Sequence, residues 1–386
     1  MTTASKISPI RVPNIGPDSA KIMTVCEAPG KTEVQVGEPL AGMSGDQFNF
    51  YMERAGAPRP ELFIANLCQR RPNRNNFRLL LKGIEKDYAE PGPELAEDIE
   101  RLKEDILRVD PDTIIAMGNW AMYFLTDKYN PKRGSGGGPG TGIGNHRGSI
   151  WPCTLVPGYK VFCSHHPAFL LRAHKWKVIF ADDLQRAVED TRLYGKEIVR
   201  PQYESIIDPP ADVLNRLITE MEQAEFLSID IETFPDDTMS CFGVGDGDHR
   251  AMCLTFNNPH NWEAAQHFLA SKPKKIMQNG ISYDVSFLNH VYGWDCMNFY
   301  WDTLIASATL MPEFPRSLSF LTSIYTRFPF YKEERKTWKK TGDMNILWEY
   351  NIKDVIATYQ IAMTQMDEMG EQFGVDTRTL QVPVRI

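Results

Sequence analysis

The sequence predicts two α/β domains in series, the first built on a mostly parallel sheet and the second on a sheet that opens with a meander. Three observations lead there. Strand-like and helix-like segments alternate through the first half, the pattern of a parallel sheet covered by helices. The periodicity fades between residues 195 and 210, where Pro201, Pro209 and Pro210 punctuate the chain. Beyond that stretch, three apolar segments separated by polar turns give way to a run of helices. A length of 386 residues accommodates two or three domains, and a hydrophobic fraction of 42% can bury a core in each.

In order, residues 21–26 read as a buried strand, 45–55 as a helix and 62–66 as a second strand. A charged amphipathic helix follows at 95–108, then strands at 113–117 and 161–164 and a closing helix at 177–193. Long polar loops leave the strand ends, where such sheets place their sites. The glycine-rich stretch 134–144 lacks the Gly-Lys-Ser/Thr ending of a phosphate loop and reads as an insertion. The boundaries expected are a first domain over 1–196, a linker over 197–222, a second domain over 223–374 and a tail over 375–386. After a short helix at 211–223, the meander strands are 226–232, 239–244 and 250–256. Helices are expected at 262–270, 282–291, 302–310, 317–325 and 344–369.

Composition narrows the setting. No run of 18 apolar residues occurs, which argues against a membrane span. Residues 1–9 are polar and lack the apolar core of a secretory signal. Seven scattered cysteines with no C-x-x-C pair argue against a disulfide framework or a zinc ribbon and suit a reducing cytoplasm. The net charge of −8 is uneven: residues 1–200 hold 27 Lys+Arg against 24 Asp+Glu, and residues 201–386 hold 15 against 26. A carboxylate-rich half suits divalent cations that bridge to phosphate, so the acidic total does not exclude a nucleic acid.

In the second half, Leu227-Ser228-Ile229-Asp230-Ile231-Glu232-Thr233 is an apolar strand with two acids on one face. Two like charges on a buried face need a cation to coexist; an edge strand with a solvated acidic face would carry the same pattern. Residues 275–284 form a strand that turns into a helix at Asp284, and Tyr350 and Asp354 lie at i, i+4 in a long helix. In this order the three segments resemble the three exonuclease motifs of the DnaQ-like (DEDD) family, in the tyrosine-type form of the proofreading domain of family A DNA polymerases. The similarity spans about residues 225–374 and includes Trp301-Asp302-Thr303-Leu304 and Ser317-Leu318-Ser319-Phe320-Leu321. It implies a ribonuclease H-like domain with a mixed sheet. It also implies that Asp230, Glu232, Asp284 and Asp354 hold two Mg²⁺ or Mn²⁺ ions at the scissile phosphate. Tyr350 would orient the attacking water, and Asn279 would contact the substrate. The basic and aromatic stretch 327–340 could guide single-stranded DNA or be an ordinary solvated loop.

In the first half, Cys26-Glu27-Ala28-Pro29-Gly30 ends a strand and leads through Glu33 to residues 37–45, a loop suited to bringing backbone donors close to a ligand. Asn66 ends the next strand, Arg70-Arg71-Pro72 follows, and Arg147-Gly148 precedes His165-His166-Pro167. A histidine there would also serve as a satisfied core residue. Together these segments, from about residue 21 to 188, resemble the uracil-DNA glycosylase superfamily, especially its family 4. The resemblance implies a three-layer α/β/α sandwich that flips a base out of the stack. Asn66 would read the uracil edge, His166 would stabilise the departing anion, and Glu27 and Glu33 would lie near the sugar or the water. Arg70, Arg71, Arg74 and Arg172 would contact phosphates, and Arg147 would be among the substrate-binding residues. Three departures stand out: Cys26 replaces the opening glycine, Leu40 replaces the phenylalanine that stacks on uracil, and Arg70 and Asp98 occupy positions of the cluster cysteines. No iron–sulfur cluster is therefore expected. The sequence leaves open a bifunctional enzyme, an exonuclease joined to a catalytically silent uracil or DNA reader, or a structural replisome subunit with both sites silent. The domain pairing is similar to that of bacteriophage replication proteins. The expected partners are single-stranded 3′ ends of DNA, with or without uracil, and a polymerase domain or a separate polymerase chain; the expected location is the cytoplasm, that of the host if the chain is viral.

Overall fold

The computed structural model describes residues 7–85, 88–128, 142–374 and 376–377. Most of the glycine-rich stretch 134–144 and most of the tail 375–386 lie outside the described residues. The chain divides into two compact units, Met1–Val199 and Arg200–Ile386.

The first unit is built on β1 (Ile22–Cys26), β2 (Leu62–Asn66), β3 (Thr113–Met117), β4 (Ile150–Pro152) and β5 (Lys160–Ser164), in the spatial order β2-β1-β3-β5-β4. The pairs β1–β2, β1–β3 and β3–β5 are parallel, and β4 adds an antiparallel edge. Every residue of β1, β2, β3 and β5 is buried, as a sheet covered on both faces requires. Its longer helices are α1 (Lys31–Val36), α2 (Met43–Arg54), α3 (Pro93–Val109), α4 (Asn119–Thr126) and α5 (Lys177–Tyr194), with four-residue helices at Ile143–His146 and Pro167–Leu170. Met23, Val25, Phe63, Ala65, Ile114 and Ala116 share one core with Leu95, Ile99, Leu102 and Ile106 of α3, which recur at helical spacing. On the other face α5 packs on β3 and β5 and against α2. The helices α1 and α4, of six and eight residues, are too short for periodicity to announce them.

The second unit holds a six-stranded mixed sheet: β6 (Glu204–Ile207), β7 (Phe226–Thr233), β8 (Met239–Gly245), β9 (Arg250–Thr255), β10 (Lys274–Met277) and β11 (Phe299–Asp302), ordered β6-β9-β8-β7-β10-β11. The meander β7–β8–β9 is antiparallel, while β6 joins β9, and β10 and β11 extend from β7, in parallel. Strand β6 lies in the proline-punctuated stretch that the sequence suggested was irregular. The helices are α6 (Ala211–Met221), α7 (Pro259–Ala270), α8 (Asp284–Tyr292), α9 (Thr303–Leu310), α10 (Leu318–Tyr325), α11 (Glu334–Thr341) and α12 (Met344–Phe373). Residues of α6, α7 and α8 fill the core on one face of the sheet with Leu227, Ile229 and Ile231. Helix α12 packs against β7, β8 and β9. Among the described residues no helix is long and apolar enough to cross a membrane.

Candidate active sites

Strand β7 sends Leu227, Ile229 and Ile231 into the core, so alternation turns Asp230 and Glu232 to the opposite face, where α12 lies. Two glycines of β8 make room for that helix. A β-carbon at Gly243 would stand 2.3 Å from Asn351 Oδ1 and 2.7 Å from a Val355 methyl, and one at Gly245 would stand 2.8 Å from Val355. Asn351 Nδ2 fastens the contact by donating to Asp230 Oδ2 at 2.8 Å and to Asp230 O at 3.1 Å. Tyr350 and Asp354, a turn apart on α12, are both 4% exposed. Carboxylate oxygens of Asp230, Glu232 and Asp354 all lie within 4.8 Å of one another.

Asp284, the first residue of α8, is not one of those three. Its Oδ1 accepts the Ile231 N–H at 3.1 Å, which holds it against the backbone between Asp230 and Glu232. Asn279 adopts a left-handed φ of +61°, which asparagine tolerates better than most residues. Its N–H donates to Asp302 Oδ1 at 3.0 Å, and Asp302 also caps α9 through Leu304 N at 2.9 Å.

Enclosure and mutual repulsion both disfavour ionisation of such acids. Burial, then the charges of Asp354, Asp284 and Glu232, drive Asp230 well above the usual carboxylate range. Burial pushes Glu232 up to about 7 against the pull of Arg335, and Asp284 up to about 7 as well. The Tyr350 hydroxyl is raised by burial and then by the charges of Asp354, Glu232 and Asp230. A convergent set of hard oxygen donors that repel one another fits a divalent cation of the magnesium class, whose charge would relieve the repulsion.

The basic stretch 327–340 is only partly a loop. Its second part forms α11, anchored by Lys353 Nζ on both Glu334 oxygens at 2.7 Å. Two of its cations turn inward. Lys332 Nζ donates to Asp354 Oδ1 at 2.5 Å, Asp354 Oδ2 at 2.6 Å and the Tyr350 hydroxyl at 2.8 Å. Arg335 Nη2 stands 3.0 Å from Glu232 Oε2, an ion pair without hydrogen-bond geometry. Sequence reasoning missed these contacts and those of Asn351 and Asp302. A signal existed for Asn351, which sits beside Tyr350 and three residues before Asp354.

In the first unit, a cavity of about 770 Å³ opens at the carboxyl ends of the parallel strands; Glu27, Glu33, Arg74, Trp120, His166 and Arg172 are among its lining residues. His166 precedes the short helix Pro167–Leu170, and its Nδ1 accepts the Ala168 N–H at 3.2 Å. Burial lowers its pKa to about 4. The ring is therefore neutral, with its proton on Nε2. Glu27 Oε1 accepts the Trp120 N–H at 3.1 Å at the start of α4, and burial raises this carboxyl to about 7. Glu33 spans the loop: Oε1 accepts the Leu40 N–H at 2.6 Å, and Oε2 accepts the Gly30 N–H.

The other expected residues divide clearly. Asn66, Leu40 and Arg147 do not contribute to the cavity wall. Asn66 is 1% exposed, and its Oδ1 and Nδ2 have no hydrogen-bond partner. Leu40 is enclosed with a φ of +49°. Arg147 is fully buried and paired with Asp183, Nε lying 3.1 and 3.0 Å from the two carboxylate oxygens. A guanidinium so enclosed does not reach a substrate in the cavity, and in place of the expected substrate contact Arg147 makes an internal ion pair. Arg172 is exposed at the cavity rim. Arg70 lies on the strand Arg70–Pro72, and Arg71 Nε donates to Asn75 Oδ1 at 2.8 Å. Asp98 is buried, pairs with Arg11, and accepts from Gln69 N at 2.8 Å and Cys68 Sγ at 3.4 Å.

A cavity at the strand ends of a parallel sheet and a convergent acid cluster on a mixed sheet give each unit one candidate site. Through residues 13–192 the chain belongs to the uracil DNA glycosylase superfamily. Residues 206–369 match the family model described as a 3′-5′ exonuclease, so the second unit is a 3′-5′ exonuclease domain. The type-4 uracil-DNA glycosylase of Saccharolobus solfataricus is 30% identical over 196 residues, covering 48% of this chain and 82% of that protein. The type-4 enzyme of Archaeoglobus fulgidus is 25% identical over 191 residues, covering 48% and 83%. Among solved structures, Escherichia coli RNase D aligns with a TM-score of 0.34 at 20% identity, over 47% of this chain and 52% of that one.

Proposed function

We propose that the second unit hydrolyses single-stranded DNA from the 3′ end in proofreading or repair, with Asp230, Glu232, Asp284 and Asp354 holding two Mg²⁺ or Mn²⁺ ions. The observation that carries this reading is the convergence of three carboxylates within 4.8 Å of one another, with Tyr350 a turn from Asp354. When bound, the ions supply Lewis-acid charge at the scissile phosphate. The chain's own contribution is positional. Asn351 fixes the carboxylate of Asp230, Ile231 N–H fixes Asp284, and the Tyr350 hydroxyl orients the attacking water. A polymerase domain or chain that supplies mispaired ends is the partner this activity calls for.

For the first unit we propose that a flipped uracil enters the cavity and reaches past its present wall to Asn66, whose buried amide has no hydrogen-bond partner and would read the uracil edge, with the neutral His166 donating from Nε2 to the departing base. A second reading, uracil recognition without excision, is favoured by Glu27. Its carboxyl is raised to about 7 and engaged at the start of α4, which leaves less negative charge to support a developing sugar cation.

One experiment tests both. A 5′-labelled single strand with one uracil is incubated in EDTA or in Mg²⁺ with wild type, Asp230→Ala and Asn66→Ala. Shortening from the 3′ end should need metal and vanish in Asp230→Ala alone. Alkali-labile sites in EDTA that vanish in Asn66→Ala would establish excision, and tighter binding of uracil DNA without such sites would establish the reader. Intact 3′ ends in both Mg²⁺ and Mn²⁺ would end the nuclease reading.

A further inference from the structure

The side chain of Lys332 ends inside the acid cluster. Its Nζ contacts both Asp354 oxygens and the Tyr350 hydroxyl, and it lies 4.5 Å from the centroid of the Tyr350 ring. Arg335 stands on Glu232 from the next turn of chain. The segment bearing both is held down on the site: Tyr331 donates to Asp354 Oδ1 at 2.6 Å, Lys353 pairs with Glu334, and Trp338 is 7% exposed and lies 6.5 Å from the Phe234 ring. Two of the three converging carboxylates thus already carry a protein cation.

An ammonium that bridges both oxygens of one carboxylate uses the lone pairs that an ion would take. The two occupants therefore compete. We propose that Lys332 and Arg335 are internal counter-ions that neutralise the acid cluster until a divalent ion displaces them, so that the segment 331–341 gates metal loading. This rests on the reading of the cluster as a metal site. Once displaced, the two cations are free to meet the phosphates of a bound 3′ end. Metal and DNA then favour the same open arrangement, and each tightens the other by an equal factor.

The test is a titration of the full chain with Mn²⁺ alone, followed by electron paramagnetic resonance of the free ion. Lys332→Met should bind Mn²⁺ at least about tenfold more tightly than wild type, roughly 1.4 kcal/mol, and Lys332→Arg should stay near wild type. Arg335→Gln, whose parent side chain is 43% exposed, should shift affinity in the same direction and guards against misfolding of the lysine variant. Adding a single-stranded oligonucleotide in the same titration should tighten Mn²⁺ binding in wild type more than in Lys332→Met. Unchanged or weaker Mn²⁺ binding in both charge-removing variants would overturn the gate. Wild type that takes up no Mn²⁺, or that differs in nothing from Asp354→Asn, would instead overturn the metal-site reading beneath it.

Discussion

The close seat of α12 on the sheet gives the most demanding prediction, the effect of Gly243→Ala. The added β-carbon would lie 2.3 Å from Asn351 Oδ1, 2.7 Å from Val355 Cγ2 and 2.9 Å from Asn351 Cγ. Carbon contacts relax near 3.5 Å, so the helix or its side chains must yield by about 1 Å. Rotating Asn351 away would break its two bonds to Asp230, and Val355 is β-branched with little rotamer choice in a helix. The remaining route is to lift α12, which carries Tyr350 and Asp354 away from Asp230 and Glu232. Overpacking of this kind costs about 1–3 kcal/mol, and a displacement of about 1 Å at a reacting centre costs about 100-fold in rate. Exonuclease kcat/KM should therefore fall about 100-fold, and thermal unfolding of the second unit should move down by a few degrees. Gly293→Ala is the control. Its φ is +68° with open space around the new methyl, so it should cost about 1–2 kcal/mol of stability and leave kcat/KM intact. Gly243→Ala with wild-type activity would refute the claim that helix-to-sheet distance sets the carboxylate cluster.

Three further outcomes follow from the first unit. Glu27→Gln should change how stability depends on pH: the folded carboxyl titrates near 7 against an ordinary value of 4.5, so wild type loses stability as pH rises through that interval. The variant should match wild type near pH 4 and exceed it by up to about 3 kcal/mol at pH 8, as measured by denaturant unfolding; equal curves would show that Glu27 stays ionised. Asp98→Ala should destabilise the unit by about 1–3 kcal/mol, because it leaves the buried Gln69 N–H unpaired and takes away one of the two acids, Asp98 and Glu97, that hold Arg11; a calorimetric shift of under a degree would contradict this. Arg147→Met should cost about 3–5 kcal/mol by leaving the buried Asp183 charge uncompensated, with DNA affinity unchanged below the unfolding range, and a loss of affinity at full stability would restore the arginine to the DNA surface.

What the sequence disclosed and what it hid have separate physical causes. Strand β7 was legible because a period of two forces Asp230 and Glu232 onto one face, whatever surrounds them. The pairing of Tyr350 with Asp354 was legible for the same reason at a period near 3.6. Local geometry of this kind is written into consecutive residues. The close approach of α12 was not, since it depends on Gly243 and Gly245 meeting Asn351 and Val355 across more than 100 positions, and nothing in a glycine announces what will lie above it. Asp284 shows the limit of spacing: its place at the start of α8 was visible, while its use as an acceptor for Ile231 N–H depends on a separate strand.

Charge was the least legible property of all. In the first unit, Arg147 looked like a substrate contact and is spent on Asp183, while Glu33 keeps its place in the cavity wall with its two oxygens accepting the Gly30 and Leu40 N–H groups. In the second, Lys332 and Arg335 belong to a basic stretch suited to guiding a polyanion, yet both meet carboxylates. An ionisable side chain has long reach and strong but undirected attraction, so its partner is chosen by which opposite charge the fold buries nearby. A buried acid cluster is such a charge, and it draws in the cations of the neighbouring segment before any ligand arrives. That is why a basic segment next to a carboxylate site carries two meanings at once, contact with phosphate and competition with metal, and why the Mn²⁺ affinity of Lys332→Met separates them where activity alone would not.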